Sequence, residues 1–167
     1  FAGALAERGP AIAAGLQASA TMGVGQFCTN PGLVLYDRTA NAEAFRAEFA
    51  RLMGAAACGT MLTKGICSAY HEGRERLAKN PAVTTLASAS PAGGNTATPA
   101  VFETTAEAVL ADHSLMEEVF GPATLLIGCD GIAGMTALMN ALEGQLTASF
   151  HGTPEAFAAA DPLLAAA

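Results

Sequence analysis

The sequence predicts an α/β fold with a mostly parallel sheet, on three observations. Short apolar runs alternate with segments of helical periodicity along the whole chain. The run from Leu33 to Tyr36 is continuously apolar, the pattern of a strand covered on both faces. Turn-forming Gly and Pro separate the segments, while no internal repeat and no linker divides the 167 residues into two domains.

Each element follows in order. Pro10 suits a first helical position, and Ile12, Leu16 and Ala20 recur at i, i+4 and i+8, which predicts a helix over 10–21. Gly23 and Gly25 end it, and 25–32 reads as a loop before the strand over 33–36. Asn41 is placed to cap a helix in which Phe45, Phe49, Leu52 and Met53 form one apolar stripe. Thr63 is placed to cap another, with Ile66, Tyr70 and Leu77 turned inward and Asn80-Pro81 at its end. A strand over 83–86, a flexible loop over 88–98 and an extended segment over 99–103 come next. A short helix near 106–110, a strand over 124–129, a helix over 132–142, a strand over 146–150 and a helix over 154–164 complete the chain.

Composition excludes several functions. Fifteen acidic and eight basic side chains give a net charge of −7. An apolar content of 51% and a mean hydropathy of +0.35 exclude an intrinsically disordered chain. A nucleic-acid surface needs a basic stripe. The densest basic run here, Arg74, Arg76 and Lys79, alternates with Glu72 and Glu75 as a solvated helix face does. No apolar run reaches the ~20 residues of a membrane span, and no basic, apolar and small-residue sequence of a secretory leader opens the chain. The expectation is a soluble, cytoplasmic protein with neither nucleic acid nor membrane as partner. Charged residues are 14% of the chain, against roughly 25% in an ordinary domain. With Phe1 at one end and Ala165 to Ala167 at the other, that scarcity predicts a piece of a larger protein.

The four cysteines form no C-x-x-C pair, and His71, His113 and His151 stand at no metal-ligand spacing, so no metal site is expected. Cys58, Cys67 and Cys129 lie in or beside regular segments and read as small core residues. Cys28 differs, because Gly23, Gly25 and Gly32 flank it and Gln26, Thr29 and Asn30 stand close by. A glycine loop lets a thiol stay accessible and lets its own N–H face a substrate oxygen, both of which thiolate attack on a carbonyl requires. On these residues alone a structural thiol and a nucleophile both stay open.

The segment Gly25-Gln26-Phe27-Cys28-Thr29 resembles the active-site cysteine motif of the aldehyde dehydrogenase superfamily. About 90 residues later, Glu117-Glu118-Val119-Phe120-Gly121-Pro122 resembles that superfamily's E-E-x-F-G-P motif, in the right order. The stretch from Cys28-Thr29-Asn30-Pro31-Gly32 to Leu33-Val34 lacks the Arg that commonly enters the next strand. It is similar to the branch holding α-ketoglutaric semialdehyde (2,5-dioxopentanoate) dehydrogenases and bacterial NADP-dependent fatty aldehyde dehydrogenases.

The resemblance implies a three-layer fold with helices on both faces of the sheet. Residues 1–167 would be an incomplete catalytic domain, with the dinucleotide-binding domain outside this chain. It implies oxidation of a small-molecule aldehyde, such as a semialdehyde, to a carboxylate through a cysteine thiohemiacetal and thioester, with NAD or NADP. Cys28 would be the nucleophile and its N–H an oxyanion donor. Glu118 would bond the nicotinamide ribose, Phe120 would pack near the nicotinamide, and the full-length enzyme would be a homo-oligomer. The family's general-base Glu and its Asn oxyanion donor belong upstream. Glu7, the one acid before Cys28, lies in no such motif, and Gly23-Val24-Gly25 is no dinucleotide fingerprint. The segment alone is therefore expected to be inactive. A semialdehyde carboxylate would call for a cation, for which Lys64, Arg74, Arg76 and Arg38 are the candidates.

Each role has a plainer counterpart, since Glu118 could serve a surface ion pair and Phe120 the core. Two other functions remain open. A cysteine hydrolase or acyltransferase would use His113 or His151 as base. A non-catalytic short homologue would keep the fold for binding or assembly.

Overall fold

The computed structural model describes residues 1–38, 42–89 and 93–166. Helices α1 (Ala2–Thr21), α2 (Glu43–Ala55), α3 (Lys64–Lys79), α4 (Ala106–Ala111), α5 (Gly131–Met139), α6 (Pro154–Ala158) and α7 (Asp161–Ala165) alternate with strands. The strands are β1 (Leu33–Asp37), β2 (Gly59–Thr60), β3 (Thr84–Ser88), β4 (Thr96–Ala97), β5 (Ala100–Thr105) and β6 (Ala123–Cys129). One sheet runs β1-β6-β5-β3, while β2 and β4 pair apart from it. β6 is parallel to both its neighbours, with Leu33 opposite Leu125 and Ala100 opposite Ala123. Within that sheet β3 alone joins its neighbour in the antiparallel sense, and the β2–β4 pair is antiparallel as well.

Strand alternation creates the three layers. Leu126 of β6, Val101 of β5 and Tyr36 of β1 pack with Leu5, Phe45, Phe49 and Met53 of α1 and α2. Leu125, Ile127 and Cys129 of β6 and Phe102 of β5 face the other way, onto Tyr70, Leu77, Val109 and Leu138. Helices on both faces explain why all seven residues of β6 are buried. The fold is α/β, as the alternation of segments predicts. The Thr63 cap is in place, its hydroxyl accepting from Ile66 N at 3.1 Å. Asn41, expected to cap α2, lies outside the described residues, as does part of the loop expected over 88–98.

The structure corrects four expectations. α1 begins before Pro10 and breaks at Arg8 (φ −144°), two residues ahead of that proline, so Pro10 opens its second half. β1 is an edge strand in which Tyr36 is buried and the other four residues are partly buried, because a neighbour pairs with it on one side only. Residues 146–150 form no strand. Leu146 is 75% exposed, and an alternating pattern makes a strand only where a paired backbone receives it. The helix over 154–164 is two, capped at Thr153 and restarted at Asp161-Pro162.

A polar clamp ties α2 to the sheet. The Arg46 guanidinium forks onto the Glu103 carboxylate, which also accepts from Tyr36 Oη at 2.9 Å. Burial, helped by Glu103, pushes the Tyr36 phenol up to about 12, and burial likewise pushes the Cys129 thiol up to about 12.

Two outcomes are expected. Phe49→Ala, at a fully buried ring stacked with Phe45, should cost about 3–5 kcal/mol in urea denaturation. Tyr36 and Cys129 hold their protons more tightly folded than unfolded, so their contribution is complete near neutrality. It should fade as pH rises from about 9 through about 12, and urea midpoints at successive pH values should fall in that window.

Candidate active site

The two motifs read from the sequence enter neighbouring parallel strands, Cys28 through the loop before β1 and Glu118 and Phe120 through the segment before β6. Parallel pairing therefore brings both to the amino end of the sheet. Backbone and side-chain bonds continue the ladder there: Leu125 N donates to Gly32 O at 2.8 Å, and Thr124 Oγ1 to Pro31 O at 3.1 Å.

The loop departs from ordinary backbone. Gly23, Val24 and Gly25 follow one another at φ of +56°, +61° and +65°. A β-branched residue in that region stores about 1–3 kcal/mol of strain, held only when the surroundings over-determine it. Here they do. The Val24 side chain presses on Gly59, and Gln26 Oε1 accepts from Leu62 N at 2.8 Å, so the segment around β2 braces the loop. Gly25 lies flat against Gly121, where an added Cβ would stand 2.3 Å from the Gly121 carbonyl carbon. Gly121 (φ +152°) in turn lies on Tyr70, whose Oη donates to Thr98 O at 2.6 Å.

The result is a cavity of about 470 Å³ whose lining includes Cys28, Asn30, His113, Glu118 and Phe120. Cys28 and Glu118 are exposed and Phe120 is half-buried. Among the described residues it is Glu117, not Glu118, that pairs with a cation, Arg76 at 3.1 Å. The Glu118 carboxylate is thus left to accept from hydroxyl donors. A half-buried ring beside it offers a flat apolar face. An acceptor beside an apolar face is the chemistry that the ribose hydroxyls and ring of a nicotinamide nucleotide would need.

The chain is 43% identical over 152 residues, 90% of its length, to α-ketoglutaric semialdehyde dehydrogenase 2 of Azospirillum brasilense. The chain is thus similar to one segment of an aldehyde dehydrogenase. A second semialdehyde dehydrogenase, from Acinetobacter baylyi, is 32% identical over 87% of the chain. The chain spans 29% and 28% of the lengths of these curated relatives. The fold agrees with a benzaldehyde dehydrogenase of Corynebacterium glutamicum (TM-score 0.75, 24% identity, 93% of this chain and 35% of that one). It agrees as well with a salicylaldehyde dehydrogenase of Pseudomonas putida G7 (TM-score 0.74, 17% identity, 93% of this chain and 32% of that one). No family model matches the chain.

Other side chains fall differently from expectation. Cys67 and Cys129 are buried, but Cys58 is exposed, because it sits in the turn between α2 and β2. The basic run of α3 is not simply a solvated face. Arg74 reaches Thr98 Oγ1 at 2.7 Å and Ala89 O at 3.1 Å, and Arg76 takes Glu117. Arg38 is held by Asp130 and Glu107. Among the described residues, neither these three nor Lys64 lines the cavity with Cys28.

His113 does share that cavity, whereas His151 lines a separate crevice of about 750 Å³ between α1 and β1. No hydrogen bond joins His113 to Cys28 among the described residues. The adjacent carboxylate of Asp112 is taken by Ser114 and Asn80 rather than by the imidazole. Among the described residues, Asp112 therefore does not orient His113 as the third member of a triad would.

Two participants escape a reading of the sequence, the Gly121 carbonyl and the Asn30 amide that reaches it across 91 positions. Neither residue type carries a signal of contact at that range.

Gly25→Ala should separate the two motifs, since its methyl group would overlap Gly121 and its φ would remain unfavourable. A loss of about 2 kcal/mol or more in thermal or urea denaturation is expected, against little change for Gly15→Ala, where the added Cβ meets open space.

Proposed function

We propose that this chain supplies the thiol-bearing half of the active site of an NAD(P)-dependent aldehyde dehydrogenase. The observation that carries the reading is that Cys28, Glu118 and Phe120 line one cavity although two separate motifs supply them.

In this reading the Cys28 thiolate adds to the aldehyde carbon, the C=O bond becomes C–O⁻, and the Cys28 N–H donates to that oxygen. One such donor is worth about 2.7–4 kcal/mol of barrier in other acyl-transfer sites, which gives the strained loop a chemical purpose. Bound NAD(P) supplies the oxidant, as acceptor of the hydride. Glu118 would hold the ribose hydroxyls and Phe120 would bound the ring. Cys28 then carries the acyl group as a thioester until water releases the carboxylate. The base for that water and the grip on the nucleotide phosphates would come from parts of the relatives that this chain does not span.

The substrate is a small aldehyde, and the named relatives favour a semialdehyde. The cation for its distal carboxylate would come from outside Lys64, Arg38, Arg74 and Arg76. All four cysteines are free, which suits a reducing cytoplasm, and the two semialdehyde relatives are bacterial. A homo-oligomer is the expected assembly of the complete enzyme.

The test is absorbance at 340 nm in the complete protein given α-ketoglutaric semialdehyde and NAD or NADP. Cys28→Ala should lower turnover by on the order of 10⁴-fold or more, as loss of a covalent nucleophile does elsewhere. A thiol hydrolase would instead release p-nitrophenol from activated esters and show no nucleotide-dependent change with aldehyde, and that pair of results would sink the proposal.

A further inference from the structure

The turn that carries Cys28 is anchored from both sides on one residue. Upstream, Gly25 packs on the Gly121 carbonyl group. Downstream, Asn30 closes the turn with its own N–H, donating to Phe27 O at 3.0 Å, and sends its side-chain Nδ2 to Gly121 O at 3.0 Å. That carbonyl is itself immobilised, because Ala123 N at the start of β6 donates to it at 2.8 Å. The Asn30 Oδ1 atom is buried and has no partner among the described residues. A buried polar atom left unsatisfied is rare and costly, so the amide is kept there for what its nitrogen does.

We propose that Asn30 is a positioning residue, one that sets where the Cys28 sulfur stands relative to Glu118 and Phe120 by holding its turn to the Gly121 carbonyl. The inference rests on reading Cys28 as the nucleophile. It adds a residue that touches no reacting atom and acts through the loop. Released from Gly121 on its downstream side, the turn would lose the side-chain hold nearest Cys28, and the sulfur would swing toward solvent. A displaced nucleophile loses rate without losing substrate binding.

The four cysteines provide the test, as each reports a different environment: Cys28 and Cys58 exposed, Cys67 and Cys129 buried. Alkylation by iodoacetamide would be followed residue by residue, by peptide mass spectrometry, in the complete protein. Two variants are compared, Asn30→Ala and the isosteric Asn30→Asp, whose carboxylate cannot donate to the Gly121 carbonyl. Loss of one hydrogen bond should raise the Cys28 rate by about three- to tenfold relative to Cys58, with Cys67 and Cys129 still protected. In the same variants kcat for aldehyde oxidation should fall while KM for the aldehyde holds. Faster alkylation together with slower turnover is a pairing that a mere folding defect does not produce.

A Cys28 rate within twofold of the parent in both variants overturns the proposal. So does reaction of Cys67 and Cys129 in both, which would make Asn30 a residue of the fold alone. If Cys28 responds as expected but the parent protein oxidises no aldehyde, the positional hold stands and the functional reading fails.

Discussion

The pairing of β1 with β6 is the constraint on which the site depends. The two strands are far apart in sequence, yet they run side by side in the same direction with Leu33 opposite Leu125. A parallel pair places the loops that enter both strands at one end of the sheet. That end is where Cys28, Glu118 and Phe120 meet. The pairing in turn needs β6 to be buried along its full length, with α1 and α2 on one face and α3, α4 and α5 on the other. A domain of this size gives each face enough apolar cover to hold the strand in register.

Close approach at the amino end follows from small side chains rather than from strong bonds. Gly25, Gly121 and the ring of Tyr70 stack in sequence, and two of the three members lack a Cβ. The stack leaves the loop little freedom, which is what allows Val24 to remain at positive φ. Strain at that position, two glycines in contact and one amide reaching a carbonyl all serve a single geometric end. They hold a thiol on the wall of a cavity.

Much of the fold is legible in the residues. Thr63 caps its helix as its spacing predicts, and the Phe45, Phe49 and Met53 stripe becomes the inner face of α2. Where legibility fails, the cause is a neighbour that sequence does not name. Leu146 to Phe150 has the alternation of a strand but pairs with none, and Cys58 has the apolarity of a core residue but sits in an open turn. Arg74 looks like one charge in a solvated run, and it instead spans to the chain near Thr98. Pairing and burial are properties of two segments at once, so single-segment patterns are blind to them.

The sequence by itself determined the α/β class, the order of most elements and the two motifs that resemble those of aldehyde dehydrogenases. Those features are local, written in periodicity, caps and short runs of residues. Only the tertiary structure decided that Arg76 takes Glu117 rather than Glu118, that His113 shares the cavity while Asp112 turns to Asn80 and Ser114, and that Asn30 meets Gly121. Each of these depends on a distance between segments separated by dozens of residues. Such distances arise from the packing of β6 and its neighbours, which no single segment encodes.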